Sequence, residues 1–231
     1  MDHQEQENSA QRLQGLLLNK EHKEILDLSG TGFTDEQMPA LSGSNKLACL
    51  KLSQNAITDA GLTCLDGLPS LIHLDLGLTR VALKGDAYGC GSFPVLPALE
   101  WLNLSFSSVN NVSVLQQLRH KTPGLRHLIL DGVRVFGWNS EYLSELPANL
   151  LTLNLSGVPI STHALERLQR YKSLIQLTVR YCQLDEEHLA VLGGFEGLKV
   201  LQMGANHITE AQMAALRKTL RTKVADCIVT T

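Results

Sequence analysis

The motif L-x-x-L-x-L recurs along most of the chain and restricts its fold more than any other feature. The eight copies start at Lys23, which replaces the first leucine, and at Leu47, Leu71, Leu99, Leu125, Leu150, Leu174 and Leu198. Successive copies begin 24 to 28 residues apart. A nearly fixed period of this length is typical of stacked repeats, in which each unit buries its apolar residues only against its neighbours.

Each unit contains two hydrophobic periods. In the third unit, Leu74 and Leu76 flank Asp75, and this alternation predicts a strand with one buried face. In the second unit, leucines recur every three residues from Leu62 to Leu68, which predicts a short helix. Hydrogen-bond acceptors stand at the expected helix starts, at Asp59, Asp185 and Thr209.

These features resemble the leucine-rich-repeat family over residues 23–220. The resemblance implies an α/β solenoid (horseshoe) of about eight repeats, with a parallel β-sheet on the concave face and short helices on the convex face. The tail I-T-D-x-G-L at residues 57–62, with a looser copy at 208–213, is similar to the intracellular subtype with repeats of about 24–26 residues. That subtype occurs in F-box-associated, protozoan and bacterial proteins.

Stacked repeats expose their core at both ends, so the flanking segments are expected to cover it. We predict a capping helix within residues 1–22, the repeat array over 23–220 and a C-terminal cap over 221–231. The N-terminal prediction rests on an apolar stripe, Leu13, Leu16 and Leu17, which would also suit a partner-binding helix. The C-terminal prediction of a closing strand or hook rests on Val224, Cys227, Ile228 and Val229.

The ninth position of the repeat usually holds an asparagine that binds the backbone of the following turn. Here the column consists of Thr31, Asn55, Thr79, Ser107, Val133, Val158, Cys182 and Asn206. Valine has no polar side-chain atom, so the turns after the fifth and sixth strands must satisfy their backbone groups otherwise, for example through water. We expect these two turns to depart from regular geometry.

Composition restricts location and partners. The net charge of −3 and the lack of a Lys/Arg run argue against a nucleic-acid partner. No stretch resembles a signal peptide or a membrane span. The five cysteines are scattered without a paired spacing. We therefore expect an intracellular, cytoplasmic protein, whose oligomeric state the sequence leaves open.

Motifs for catalysis or cofactor binding are missing, so we predict neither an enzyme nor a cofactor. His73 and His127 occupy the same column two repeats apart, about 10 Å between strands, which is too far for a shared metal. Cys90, in the glycine-rich segment 85–92, is expected to be an unreactive thiol. Cys182 is predicted to be buried and Cys49 to be accessible.

Residues at positions three, five, seven and eight of each repeat, counted from its first leucine, should face the concave surface. A predicted binding site on repeats three to five, with two residues from repeat seven, consists of His73, Leu78, Trp101, Phe106, His127, Ile129, Arg180 and Tyr181. Clustered exposed aromatic residues are typical of binding surfaces. Alternatively, the insert at 81–95 covers Trp101. A second insert, 135–142, contains Phe136, Trp138 and Tyr142 and would either widen the site or seal a turn.

The predicted function is a non-catalytic scaffold or adaptor that binds a protein or peptide. One alternative is a regulatory subunit of an enzyme. For a ubiquitin-ligase substrate receptor, the 22 residues before the first repeat are too few for an F-box, so another chain would supply the link. A GTPase or phosphatase regulator would have to display a charged residue such as Arg80, Arg134 or Arg180. A structural role in a cytoskeletal or organellar assembly is a further alternative.

Overall fold

The computed structural model describes residues 15, 17–18, 24–66, 68–83, 93–110, 113–133, 145–223 and 228–230. Within these ranges, nine three-residue strands form one parallel sheet in chain order, and the sheet does not close on itself. The strands are β1 (Ile25–Asp27), β2 (Cys49–Lys51), β3 (His73–Asp75), β4 (Trp101–Asn103), β5 (His127–Ile129), β6 (Thr152–Asn154), β7 (Gln176–Thr178), β8 (Val200–Gln202) and β9 (Ile228–Thr230).

Short helices return the chain from one strand to the next. The described α-helices are α1 (Asp59–Leu62), α2 (Ser113–Lys121), α3 (Thr162–Leu168), α4 (Glu186–Leu192) and α5 (Glu210–Lys223), with 3-10 turns at Met38–Leu41 and Thr63–Leu65. Asp185 caps α4 by accepting a hydrogen bond from the Glu187 amide, and His188 completes a capping box. The caps thus form at predicted helix starts, although at α1 the cap is Thr58 and Asp59 is the first helical residue.

The pairing register repeats the columns of the sequence motif. Leu50 of β2 pairs with Leu74 of β3, which in turn pairs with Leu102 of β4, and all three are fully buried. Leucines at positions one, four and six therefore stack into one continuous apolar core, as the motif predicts. The fold is a leucine-rich-repeat solenoid with a parallel sheet and short helices, which confirms the predicted fold class.

The two ends of the solenoid are only partly described. Near the N-terminus, Leu17 packs against the core, whereas Leu13 and Leu16 lie outside the described residues. At the other end, β9 adds a ninth rung parallel to β8 and buries Val229. Val224 and Cys227, which we also assigned to the C-terminal cap, lie outside the described residues.

The turn after each of the first eight strands has one conformation. All eight residues at position eight have φ between +52° and +73°, namely Gly30, Gln54, Leu78, Phe106, Gly132, Gly157, Tyr181 and Ala205. At the first seven of these turns the position-eight amide still pairs with the next strand, and the left-handed conformation turns the chain after it. The Phe106 amide thus donates to the Asp131 carbonyl at 2.8 Å, and the Gly132 amide donates to the Ser156 carbonyl at 2.8 Å.

The expectation of irregular turns after β5 and β6 was wrong. The Val133 amide donates to the Leu130 carbonyl at 3.2 Å, and the Val158 amide donates to the Leu155 carbonyl at 3.1 Å. The backbone closes these turns without a polar side chain, because glycine supplies the left-handed residue before each valine. The Cys182 thiol also donates to the Leu155 carbonyl, at 3.2 Å.

Candidate functional site

A row of aromatic rings crosses the concave face at position three. His73, Trp101 and His127 pair in register on adjacent strands. The rings of His73 and Trp101 stack, with centroids 3.7 Å apart and planes 7° apart. The His127 Nδ1 atom lies 2.9 Å from the Thr152 hydroxyl in the next strand. The strand spacing therefore brings all three side chains into one row, as the sequence columns predict.

The environment of His73 favours its uncharged form. Burial lowers the pKa of His73, and the neighbouring carboxylate of Asp75 only partly opposes this effect. At neutral pH the ring is therefore a neutral aromatic partner for Trp101. The stacked pair presents a preformed surface, which reduces the conformational entropy that a ligand would have to remove.

Several polar side chains at position five have a structural role that our sequence reasoning missed. Asp75 Oδ1 accepts hydrogen bonds from the Gly77 amide at 3.0 Å and from Asn103 Nδ2 at 2.8 Å. Asn103 and Asn154 likewise accept the amide two residues later, at 2.9 Å each. An Asp or Asn two residues before a Ser or Gly at a strand end is a signal for this turn.

Strand β5 differs from its neighbours. Ile129 occupies position five and is half-buried between Asn103 and Asn154 in the pairing register. Asp131 stands instead at position seven and is also half-buried. Burial raises the pKa of Asp131, and the positive charge of Arg180 partly opposes the increase.

A second row of large side chains lies at position eight. Leu78, Phe106 and Tyr181 are exposed by 52%, 56% and 64%, respectively, and each has a positive φ. For a residue with a Cβ atom, this conformation costs about 1–2 kcal/mol, a cost that glycine avoids. Three large side chains are thus held in an unfavourable backbone conformation without being buried.

Leu78 and Phe106 border a shallow groove of about 430 Å³ at the end of β2, β3 and β4. The lining residues are Gln54, Asn55, Ala56, Leu78, Thr79, Arg80 and Phe106. We call this the Leu78–Phe106 groove. Arg80 is exposed and is the charged residue of the lining.

The structure places the predicted site residues in two rows rather than one cluster. His73, Trp101 and His127 lie five residues before position eight, which holds Leu78 and Phe106. Ile129 lies between the two rows. Arg180 and Tyr181 follow β7, three strands from β4, which corresponds to about 14 Å.

Side chains on the helical side of the sheet bind both described ends of the insert at 81–95. Asp59 Oδ1 accepts hydrogen bonds from the Ala82 and Leu83 amides at 2.8 Å, and Gln117 Oε1 accepts one from the Phe93 amide at 3.2 Å. Leu83 and Phe93 are buried in the core. Residues 84–92 lie outside the described residues, as do Cys90, Arg134, Phe136, Trp138 and Tyr142.

The described residues contain no group of three or more His, Cys, Asp or Glu side chains placed to hold a metal ion. Over the same ranges, no helix has the length and apolar character needed to cross a membrane. Cys182 is buried, as predicted, and burial raises its pKa to about 12. Cys49 is half-buried, and burial also raises its pKa.

Among the described residues, four exposed isoleucines were not part of the predicted site, and two of them lie at position two. Ile72 and Ile175 occupy position two, next to the position-three row. The signal was present in the sequence, because position two is otherwise mostly polar or small. Ile72 directly precedes His73 and extends the apolar surface towards that edge of the sheet.

No family model matches the chain. The chain is 29% identical over 146 residues to the ToMV resistant protein Tm-2 netted virescent from Solanum lycopersicum, and 28% identical to the ToMV resistance protein Tm-2(GCR236) from the same plant. Each match covers 61% of this chain but only 16% of the tomato protein. The chain thus corresponds to a small part of these relatives.

Two solved structures share the fold. An internalin from Listeria monocytogenes superposes with a TM-score of 0.61 at 19% identity, covering 93% of this chain and 62% of that one. A leucine-rich-repeat protein from Leptospira interrogans superposes with a TM-score of 0.51 at 20% identity, covering 83% of this chain and 50% of that one. At such identities the likeness shows the leucine-rich-repeat fold, which generally serves as a protein-interaction scaffold.

Proposed function

We propose that the chain is a non-catalytic adaptor that binds a protein or peptide on the concave surface of repeats three to five. The contact residues of this proposal are His73, Leu78, Trp101, Phe106, His127 and Ile129, with Arg180 and Tyr181 at the margin. A cytoplasmic, reducing location fits the described cysteines Cys49, Cys64 and Cys182, which are free thiols.

The observation that carries the proposal is the exposure of Leu78 and Phe106 in left-handed backbone conformations. Backbone strain of this kind persists where the fold enforces it, and it is concentrated at functional sites. Glycine occupies the same column at Gly30, Gly132 and Gly157 without this cost. About half of each large side chain is exposed, so intramolecular packing covers it only in part, and contact with a partner would bury the rest.

The stack of His73 on Trp101 supports the same surface. Trp is a frequent energetic centre of protein interfaces, particularly where its ring is rigidly held. The stack fixes the Trp101 ring before binding, and Ile72 and Ile129 extend the apolar surface around it. The tomato relatives are named for resistance to ToMV, which agrees with an interaction function for this chain.

The proposal is tested by affinity capture from an extract of the native cell with the tagged full chain. The comparison is between the unmodified chain and the double variant Trp101→Ala/Phe106→Ala, with quantitative mass spectrometry of the captured proteins. We expect at least one protein to be lost from the double variant, and its direct binding to the purified chain to weaken by roughly a hundredfold.

The matched control is Val95→Ala, which also removes an exposed apolar side chain but lies outside the proposed surface. This variant should capture the same proteins as the unmodified chain. Identical capture by all three chains, with circular dichroism showing that the double variant is folded, would contradict the concave-surface proposal.

A further inference from the structure

Asp131 is the one acidic residue at position seven of the repeats, and its placement reverses the pattern of the neighbouring strands. On β3, β4 and β6, an Asp or Asn at position five accepts the amide of position seven. On β5, Ile129 occupies position five, and the acid has moved to position seven. The carboxylate of Asp131 is therefore not used to form the turn.

The neighbours of Asp131 do not bind its carboxylate. Ser105 and Ser156 flank it at position seven, but their hydroxyls donate to Asn103 Oδ1 at 2.5 Å and to Asn154 Oδ1 at 2.6 Å. Among the described residues, none makes a hydrogen bond or an ion pair with the Asp131 carboxylate, although this residue is half-buried. A half-buried carboxylate has lost part of its hydration, and a charge-assisted hydrogen bond from a ligand would offset this loss.

The position-eight row leaves a gap next to Asp131. Along β4 to β7 this row holds Phe106, Gly132, Gly157 and Tyr181, so that two exposed aromatic residues flank two glycines. The Phe106 ring lies over the Cα atom of Gly132, where an added Cβ would overlap it. Gly157 is exposed and leaves the floor open on the Tyr181 side. We call this feature the Phe106–Tyr181 gap.

We infer that the Phe106–Tyr181 gap receives a Lys or Arg side chain of the protein partner, whose cationic group pairs with Asp131. This inference rests on the proposed function and specifies the chemistry of the ligand. A cation would neutralise the half-buried carboxylate through charge-assisted hydrogen bonds. Its apolar stem would lie over Gly157, and the aromatic faces of Phe106 and Tyr181 attract cations.

The positive charge of Arg180 does not make the gap prefer an anionic ligand to a cationic one. Its side chain is exposed, so that water already solvates its charge, whereas Asp131 is half-buried and has lost part of its hydration. The larger gain on binding therefore comes from a cation at Asp131. An acidic ligand would instead pair with Arg180 and leave Asp131 without a partner.

The test is selection of a phage-displayed random peptide library against the immobilised full chain, followed by fluorescence anisotropy with synthetic peptides. We expect selected peptides to share a Lys or Arg. Asp131→Asn should weaken their binding roughly tenfold, and so should Gln in place of the basic residue, while both changes together should weaken it little more than either alone. The control Asp75→Asn should change affinity by no more than roughly twofold, because the Asp75 oxygen accepts intramolecular hydrogen bonds that Asn can retain.

Several results would overturn the inference: no selected binder, selected peptides without a basic residue, or equal affinity for Asp131→Asn. Acidic peptides that lose affinity on Arg180→Gln would also overturn it and assign the ligand charge to Arg180. Peptides that require Trp101 and Phe106 but bind Asp131→Asn normally would remove this inference and leave the proposed function intact. Peptides that ignore the Trp101→Ala/Phe106→Ala variant would contradict the proposed function itself.

Discussion

The imidazole of His73 stacks on the indole of Trp101, with ring centroids 3.7 Å apart, on adjacent strands of the concave sheet. Both rings are half-buried, and burial is the main cause of the lowered pKa of His73. Both the stability of the protein and the protonation of His73 should therefore depend on Trp101.

We predict that Trp101→Ala raises the pKa of His73 towards its ordinary value of about 6.5, because removal of the indole admits water to the imidazole. The measurement is an NMR titration of the His73 ring resonances. Thr152→Ala, which removes the hydroxyl beside His127 instead, is the control and should leave the pKa of His73 unchanged. An unchanged His73 titration in Trp101→Ala would show that another group causes the desolvation.

The same lowered pKa has a consequence for stability. The folded state binds a proton at His73 less readily than the unfolded state, so the unfolded state takes up more protons as the pH falls below about 6.5. We therefore predict that the protein loses stability as the pH falls from about 6.5 through the lower pKa that His73 has in the folded state. Urea unfolding at several pH values should show a smaller loss between pH values of about 7 and 5 in His73→Gln than in the unmodified chain.

A third prediction concerns the two glycines of the Phe106–Tyr181 gap. Gly157→Ala should cost about 1–2 kcal/mol in the free energy of unfolding, because φ is +73° and an added Cβ meets only ordinary contacts. Gly132→Ala should cost about 1 kcal/mol more, because the added Cβ overlaps the Phe106 ring and displaces it.

A double variant separates these two costs. In Phe106→Ala/Gly132→Ala the ring is absent, so the extra cost of the alanine at position 132 should disappear in a double-mutant cycle measured by urea unfolding. Equal costs for Gly132→Ala in the presence and absence of the Phe106 ring would show that the overlap is relieved without strain. Displacement of the ring should also weaken partner binding.

The repeat motif was sufficient to predict the first eight strands, because each of them begins at position three and pairs with the same column of the neighbouring repeat. Leu74 and Leu102, for example, pair as their alignment requires. The interior was thus predictable from leucine spacing alone. The closure of the Val133 and Val158 turns was not predictable in this way, because a hydrogen bond between backbone groups does not depend on which side chain is present.

The concave surface was predictable only in part. Sequence columns placed His73 beside Trp101, but which side chains bind the backbone depends on local geometry. Asp75 and Asp131 look alike as outward acids, yet Asp75 accepts two hydrogen bonds and Asp131 accepts none from the described residues. The difference lies in the position within the repeat, which is five for Asp75 and seven for Asp131, and residue type alone does not reveal it.

A fourth prediction concerns thiol reactivity. Because the thiolate is the reactive form, a pKa of about 12 and full burial should make Cys182 inert to iodoacetamide at pH 8 while the protein is folded. Site-resolved mass spectrometry should find alkylation at the half-buried Cys49 and Cys64 before Cys182. In denaturant all three should react alike, and early alkylation of Cys182 would contradict its burial.

The last prediction tests how the turns are held. Asn55 Oδ1 accepts the Phe33 amide at 2.9 Å, and Asn55 Nδ2 donates to the Leu52 carbonyl at 2.9 Å. Asn55→Ala leaves both buried backbone groups without these partners and should lower the free energy of unfolding by about 2–5 kcal/mol. Thr79→Val, at the same position one repeat later, removes one hydroxyl donor to the Leu76 carbonyl and should cost only about 1 kcal/mol. Urea unfolding followed by circular dichroism measures both, and equal costs would mean that the asparagine does not join adjacent repeats.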